Sequence, residues 1–482
     1  MSSRVPDGAS APAAPPPALA PTALAHVARL PIADPLALPG LSRRLRLTHL
    51  VWDEYVAGQR RVDLHPLVLT EAAHEDAKAA ALAACAVIGE VARLALTSDD
   101  EAALYGFSAQ LRALARASHR AGDHGRLVRV DLLLGEDDRF RACEINADCP
   151  GGLNEAHGLP DLLRLAGFKG RADITPVLGA LAARLVAASG GPGSPKGLVA
   201  LVFATAYAED LAICALVERA VTQAGGRARR VGPTALAVDD ARCTVDGEPV
   251  SVLYRFYPSE HLAELPIAAP LAAAIAAGNL TTLSSFAAMF EQSKLAFARA
   301  CALEPAWREG ERDGGGRPGD AELRARLADA VAQRLPYTTL SREAPLLEER
   351  SQWVLKRALG RVGDEVFVGA LEPDDEWARL VDGVRRASEQ TGDDGERDVW
   401  IAQRFLRQRP VSTPWGPRLV TLGAYVLDGE FQGYFARLTE ESHTSHDALV
   451  VPVVLDTPAL RRDREGDLRR GPPRVADHGV RA

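Results

Sequence analysis

Arg126-Leu-Val-Arg129-Val-Asp131-Leu-Leu-Leu134, then Gly135-Glu-Asp-Asp-Arg139, then Phe140-Arg-Ala-Cys143-Glu144-Ile-Asn146 is the stretch from which the chain is best read. Both flanks alternate like strands, and the Gly/Asp segment between them has turn composition. Side chains on a strand alternate between faces, so Arg129 and Asp131 share one face, and so do Glu144 and Asn146. Cys143 and Ile145 are expected on the opposite face. If the strands pair, Asp131, Glu144 and Asn146 bring three oxygen-bearing groups together with the Arg129 guanidinium beside them. Magnesium prefers hard oxygen ligands and is held by one or two carboxylates plus phosphates. Alternation alone is equally met by a solvent-facing amphipathic hairpin. The polar loop Ala147-Asp148-Cys149-Pro150-Gly151-Gly152 follows directly, and loops leaving strand ends favour sites.

With 482 residues, the chain is long enough for two or three packed units. A net charge of -8 and scattered basic residues argue against nucleic-acid binding, which requires a basic surface to displace phosphate counterions. The six cysteines have irregular spacing and form no CxxC pair, so they are expected to be mostly small core residues in a reducing compartment. No apolar run is read as approaching the roughly 18 residues of a membrane span, and the start does not read as a signal peptide. The expected location is cytoplasmic, with no membrane or nucleic-acid partner.

Residues 1–40, rich in Ala and Pro, read as a disordered tail, and 460–482 as a second, charged one. Between them, 41–459 is the folded unit. Residues 70–96 read as a long Ala-rich helix with Thr70 as N-cap. Residues 197–260 have βαβ grammar: an apolar strand, a helix stopped by Gly225-Gly226, and further strands. This βαβ segment lacks GxGxxG, so a dinucleotide fingerprint is not supported there. A polar break over 310–320 precedes another helix, and the last third is β-rich, with Asp428-Gly429 as a hairpin turn. The fold class is α+β, in several lobes.

Other segments carry weaker signals. Trp353-Val-Leu-Lys356-Arg-Ala-Leu-Gly360-Arg361-Val-Gly363 is a strand ending in lysine, followed by a glycine-bearing turn able to approach phosphates. A plain hairpin with a surface lysine would look the same. Lys294 begins a helix in Glu291-Gln-Ser-Lys294, Gln403 interrupts the apolar strand 400–406, and Arg437 lies on the late strand Gly433-Tyr-Phe-Ala-Arg437. His443 and His446 lack a third zinc ligand at diagnostic spacing. Cys149 near His157 raises a cysteine nucleophile, although no elbow or oxyanion motif accompanies it.

Taken in order, from about Trp52 to Pro452, these segments resemble the synthetase module of glutathionylspermidine synthases and related ATP-grasp carboxylate–amine ligases. Arg129-Val-Asp131 and Glu144-Ile-Asn146-Ala-Asp148 resemble the family's RxD and E-x-N-A-D elements. The resemblance implies an ATP-grasp fold of the circularly permuted variety, with 197–260 as a pre-ATP-grasp βαβ subdomain. It implies Arg129 and Arg437 as catalytic, and Asp131, Glu144 and Asn146 as magnesium ligands. Lys294, Lys356, Gly360, Arg361 and Gly363 would contact ATP phosphates, and Gln403 would sit near adenine. Arg357 stands where the family has proline, Val362 where its loop has glutamate, and Arg404 where its hinge has glutamate. Cys149-Pro150-Gly151 departs from the T-P-T run.

The expected function is therefore an ATP- and Mg2+-dependent ligase joining a carboxylate, on a small molecule or peptide, to an amine. A non-catalytic binding protein on the same fold is the alternative, and a cysteine hydrolase a more distant one. The upstream amidase of bifunctional relatives is not expected. Neither the substrates nor the oligomeric state is legible.

Overall fold

Strands Leu127–Leu134 and Phe140–Asn146 are antiparallel neighbours, with Arg129 opposite Asn146 and Asp131 opposite Glu144. The computed structural model describes residues 23–30, 34–56, 58–123, 125–168, 174–193, 197–309, 320–361, 365–390, 396–441 and 448–456. Immediately after Asp131 the register shifts, so that Leu132 faces Ala142. The residue skipped is Cys143. This bulge breaks the period-two rule, and Cys143 lines the same cavity as Glu144 instead of the opposite face.

The hairpin does not stand alone. Strand Leu419–Leu427 pairs antiparallel with Leu127–Leu134, and Glu430–Thr439 and Leu449–Val451 extend the sheet to five strands. Asp428 and Gly429 adopt φ of 48° and 87°, the left-handed pair that a two-residue hairpin turn requires. The apolar face of this sheet, including Val130, Leu132, Ile145, Leu422 and Ala436, packs on the helix Glu71–Thr97. Thr70 caps that helix by accepting from the Ala73 N–H, a contact contributing about 1 kcal/mol. Its buried stripe is mostly alanine, which lets helix and sheet approach closely.

This helix also corrects the reading of apolar runs. At 27 residues it is long and apolar enough by composition to cross a bilayer. Half of its most apolar window is buried against the sheet and the helices Leu295–Glu309 and Asp320–Arg334.

The βαβ segment forms a separate sheet. Ala228–Val231, Leu198–Phe203, Glu248–Phe256 and Thr281–Leu283 lie parallel, and Arg242–Val245 and Leu236–Asp239 add an antiparallel edge. A third sheet, wholly antiparallel, runs Thr338–Leu340, Trp400–Arg404, Trp353–Arg357, Val366–Val368. The α+β reading holds as a mixed helix and sheet architecture, with the largely parallel βαβ sheet within it.

The span read as a disordered N-terminal tail needs correction. Ala25–Val27 is a strand paired with Leu67–Leu69, which also pairs with Val453–Leu455. Alternating burial of Ala25 and Val27 in the main core outweighs the local proline content. Residues 1–22 and 457–482 lie outside the described residues, as do 310–319 of the polar break.

Candidate active site

Two antiparallel sheets face each other across a cavity of about 130 Å³. One wall is the polar face of the five-stranded sheet, carrying Arg129, Asp131, Glu144, Asn146 and Arg437; the other, from the third sheet, carries Lys356 and Gln403. Seven of the residues singled out in the sequence therefore meet at one place.

Asp131 is the hub of the first wall. Arg129 grips it bidentately, Nε to Oδ1 at 2.7 Å and Nη2 to Oδ2 at 3.0 Å. Arg437 Nη2 donates to Oδ2 at 2.7 Å, and Asn146 Nδ2 reaches the same oxygen at 3.4 Å. Burial alone would raise the Asp131 pKa, but Arg129 and Arg437 outweigh it and hold the carboxyl below its ordinary range. Burial, reinforced by repulsion from Arg129, lowers the Arg437 pKa, and Arg437 Nε is buried with no hydrogen-bond partner among the described residues. That donor is unspent.

Close packing holds Arg129 in place. Gly423 lies directly opposite Asp131 on the neighbouring strand, and a β-carbon there would stand 2.8 Å from Arg129 Cδ. Arg129 Nη1 donates to the Gly151 carbonyl at 2.9 Å, which also accepts from the Tyr425 hydroxyl at 2.7 Å. The loop after Asn146 is thus tied to Arg129. Gly152 has φ of 83°, and a β-carbon there would meet the Phe435 ring at 2.9 Å, so the position demands glycine.

On the facing wall, Lys356 Nζ donates to Gln403 Oε1 at 2.7 Å and to the Cys143 carbonyl at 3.2 Å. Gln403 Nε2 in turn donates to Thr338 Oγ1 at 3.2 Å. Burial, aided by Lys294, lowers the Lys356 pKa against the pull of Glu144. Val354, Val368, Phe405 and Pro336 complete an apolar flank beside Gln403.

Lys294 stands behind Glu144. Its Nζ is 2.8 Å from Glu144 Oε1 and donates to the Gly360 carbonyl at 2.7 Å, linking the helix start to the glycine turn. Burial opposes ionisation of Glu144, and Lys294, with Lys356, overcomes it. Arg361 turns away from the cavity: it pairs with Glu260 at 2.7 Å and with Asp148. Asp148 is fully buried, also bonded to Arg255 and to the Ser259 N–H and hydroxyl. These partners override burial and hold its carboxyl well below the usual range. Gly363, Val362, His443 and His446 lie outside the described residues.

Asp148, Gln292, Gly423 and Tyr425 shape the site through contacts that the sequence does not announce. Gln292 Oε1 accepts from the Ala147 and Asp148 N–H groups at 2.8 and 3.0 Å, fixing the strand exit. Its only signal was its place two residues before Lys294.

The departures from the family pattern have local partners. Arg357 is paired with Asp398 and Glu365, and Arg404 stacks 4.1 Å from the Trp353 ring while bonding Glu349 and Gln352. Both cations are spent on neighbours at the rim of the sheet. Burial, then the charge of Asp148, pushes the Cys149 thiol well above its ordinary value, and His157 packs edge-on against His49 at 5.7 Å. A nucleophilic cysteine needs the opposite shift.

The fold is shared with a glutathione synthetase-like effector from Globodera pallida solved in apo form, at a TM-score of 0.51 and 11% identity, covering 81% of this chain and 89% of that one. A protein provisionally named gamma-glutamylcysteine synthetase, from Methylobacillus flagellatus, aligns over 76% of this chain and 84% of its own, at a TM-score of 0.37 and 12% identity. No curated protein sequence matches the chain. The family model described as glutathionylspermidine synthase preATP-grasp matches residues 44–305, just over half of the 482 residues. By that match, which includes the whole Arg129-to-Asn146 hairpin, the chain belongs to the glutathionylspermidine synthase pre-ATP-grasp family.

Proposed function

We propose that this chain is an ATP- and magnesium-dependent ligase that joins a carboxylate to an amine through an acyl phosphate. The observation that carries the reading is the meeting of Arg129 and Arg437 on Asp131, with Lys356 and Gln403 across the same cavity. Family membership supports the reaction class. We further read residues 197–260 as the pre-ATP-grasp subdomain and the fold as circularly permuted. The permuted reading is supported by a single sheet that joins strands at 127–146 to strands at 419–451.

The donor set fits magnesium: Asp131 and Glu144 are carboxylates facing each other across paired strands, and Asn146 adds an amide oxygen. Those three residues would hold it, and it would offset charge on the β- and γ-phosphates. The apolar flank beside Gln403 suits an adenine ring, with the Gln403 amide to read its edge. Lys356 and Lys294 supply phosphate-facing charge.

In the first step a carboxylate oxygen attacks the γ-phosphorus, the bond to the β-phosphate oxygen breaks, and ADP leaves. In the second, the amine nitrogen attacks the acyl carbon, phosphate departs with the C–O bond electrons, and the nitrogen loses a proton. Arg437, with its unspent Nε, is suited to the transferring phosphoryl group or the tetrahedral oxyanion. Arg129 positions the 147–152 loop through Gly151 while holding Asp131.

A screen of amines against amino acids and peptides, with ADP release read alongside mass spectrometry of the conjugate, tests the proposal. ADP and phosphate formed only when both substrates are present is the expected result. AMP and pyrophosphate would overturn it, and folded protein that fails to bind Mg-ATP would favour the non-catalytic alternative.

A further inference from the structure

We propose that the open cavity between helices Leu41–Leu47, Leu153–Leu165, Val177–Ala188 and Ala208–Gln223 is a second ligand site, for a multiply charged oxyanion. The cavity measures about 630 Å³, within the range of small-molecule sites, and shares no lining residue with the cavity holding Asp131. Arg44, Arg164 and Arg219 all line it, together with His49 and His157. In a chain of net charge -8, three guanidiniums around one hollow is a local inversion of sign.

Among the described residues that line it, Asp161 is the one carboxylate, and it is already shared. It accepts from Arg44 Nε at 3.3 Å and from Arg164, and pairs with His49 Nε2 at 3.0 Å. Arg219 is anchored by donating to the Thr48 carbonyl. Among the described lining residues, three guanidiniums thus stand against one carboxylate. Burial lowers the pKa of both histidines, to about 4 for His49, so the fixed positive charge rests on the arginines at neutral pH.

The helix Val177–Ala188 adds a directed contribution. It starts at the cavity, where Thr175, Pro176 and Gly179 line the wall, and among the described residues its N-cap, Pro176, provides no side-chain cap. Free N–H groups and the positive end of the helix dipole favour an anion there. Among the described residues, and apart from the helix's own backbone, nothing lies within 4 Å of a β-carbon built at Gly179. At Gly158 the opposite holds: a β-carbon would stand 2.6 Å from the His49 ring, so glycine is needed for His49 to sit in the wall.

The test is calorimetry and thermal unfolding of the full chain with inorganic phosphate, pyrophosphate and citrate, each with the ATP cavity filled by Mg-ADP. We expect binding of at least one probe, with its preference among the three separating phosphoryl from carboxylate ligands. Arg219→Glu and Arg164→Glu should each weaken that binding by about tenfold or more. Arg164 is largely exposed, so its variant keeps the fold and separates lost binding from unfolding. Failure of all three probes to bind at millimolar concentration would overturn the proposal. So would binding that survives both charge reversals but disappears in Lys356→Ala, since the anion would then occupy the ATP cavity.

Discussion

Arg437 Nη2 lies 2.7 Å from Asp131 Oδ2, and the contact joins residues 306 positions apart. With Arg129 on the same carboxylate, a single buried anion holds two guanidiniums together. Asp131→Asn leaves both without a counter-charge, and breaking a buried pair this way costs about 3–5 kcal/mol. We expect a lower Tm in thermal unfolding and loss of magnesium-dependent ADP formation. An unchanged Tm would contradict the buried-hub account. The pH dependence follows in sign: the folded pKa of Asp131 is depressed, so its stabilisation is present above the ordinary value of 3.8 and is lost as pH falls through the folded value.

Gly423 tests whether the position of Arg129 matters apart from its charge. A methyl group there would stand 2.8 Å from Arg129 Cδ, so Gly423→Ala must push the side chain off Asp131. Overpacking of this kind costs about 1–3 kcal/mol, which the fold should tolerate. The expected result is a fall in kcat of about tenfold or more, with Mg-ADP affinity nearly preserved. Unchanged kcat would show that the bidentate grip is dispensable.

Gln403 holds Lys356 and is itself held by Thr338. Gln403→Leu keeps the bulk but removes an acceptor from a buried ammonium, a loss of about 1–3 kcal/mol. We expect about tenfold weaker Mg-ADP binding by calorimetry, with a smaller effect on kcat. A loss confined to kcat would remove Gln403 from the nucleotide.

Glu155 sits one turn beyond the Gly151 loop, in a group of carboxylates with Asp53 and Glu209. Burial, with Asp53 adding and Arg61 opposing, pushes its carboxyl up from 4.5 to about 7. Because the folded value is raised, its contribution is fully present below pH 4.5 and is lost as pH rises through about 7. The full loss is about 3 kcal/mol at most. Glu155→Gln should therefore gain stability over the unsubstituted protein at pH 8 but not at pH 4. Tm measured at both values checks this, and an equal difference at the two would refute it.

Much of the candidate site was legible because each piece obeys a local rule. Alternation put Arg129 with Asp131 and Glu144 with Asn146, Thr70 announced its helix, and Asp428-Gly429 its turn. Cys143 was misplaced because a bulge is a property of two paired strands, and one strand's periodicity does not reveal it. Arg361 resembled a phosphate-loop cation, yet it pairs with Asp148 and Glu260, 213 and 101 positions away. Ala25–Val27 looked like a tail because its pairing partners lie at 67–69, with 453–455 on the far side of those.

Which residue types share a strand face, and where helices and turns begin, can be read from the letters, since these depend on side-chain periodicity and backbone preference over a few residues. That the Arg129 hairpin shares a sheet with Arg437, that Lys356 faces Asp131 across a cavity, and that Asp131 anchors two arginines emerge only from the folded arrangement. Those outcomes depend on long-range strand pairing, driven by burial of the apolar sheet face on the helix Glu71–Thr97. The charges were visible as letters, but their partners were set by which surfaces had to be removed from water.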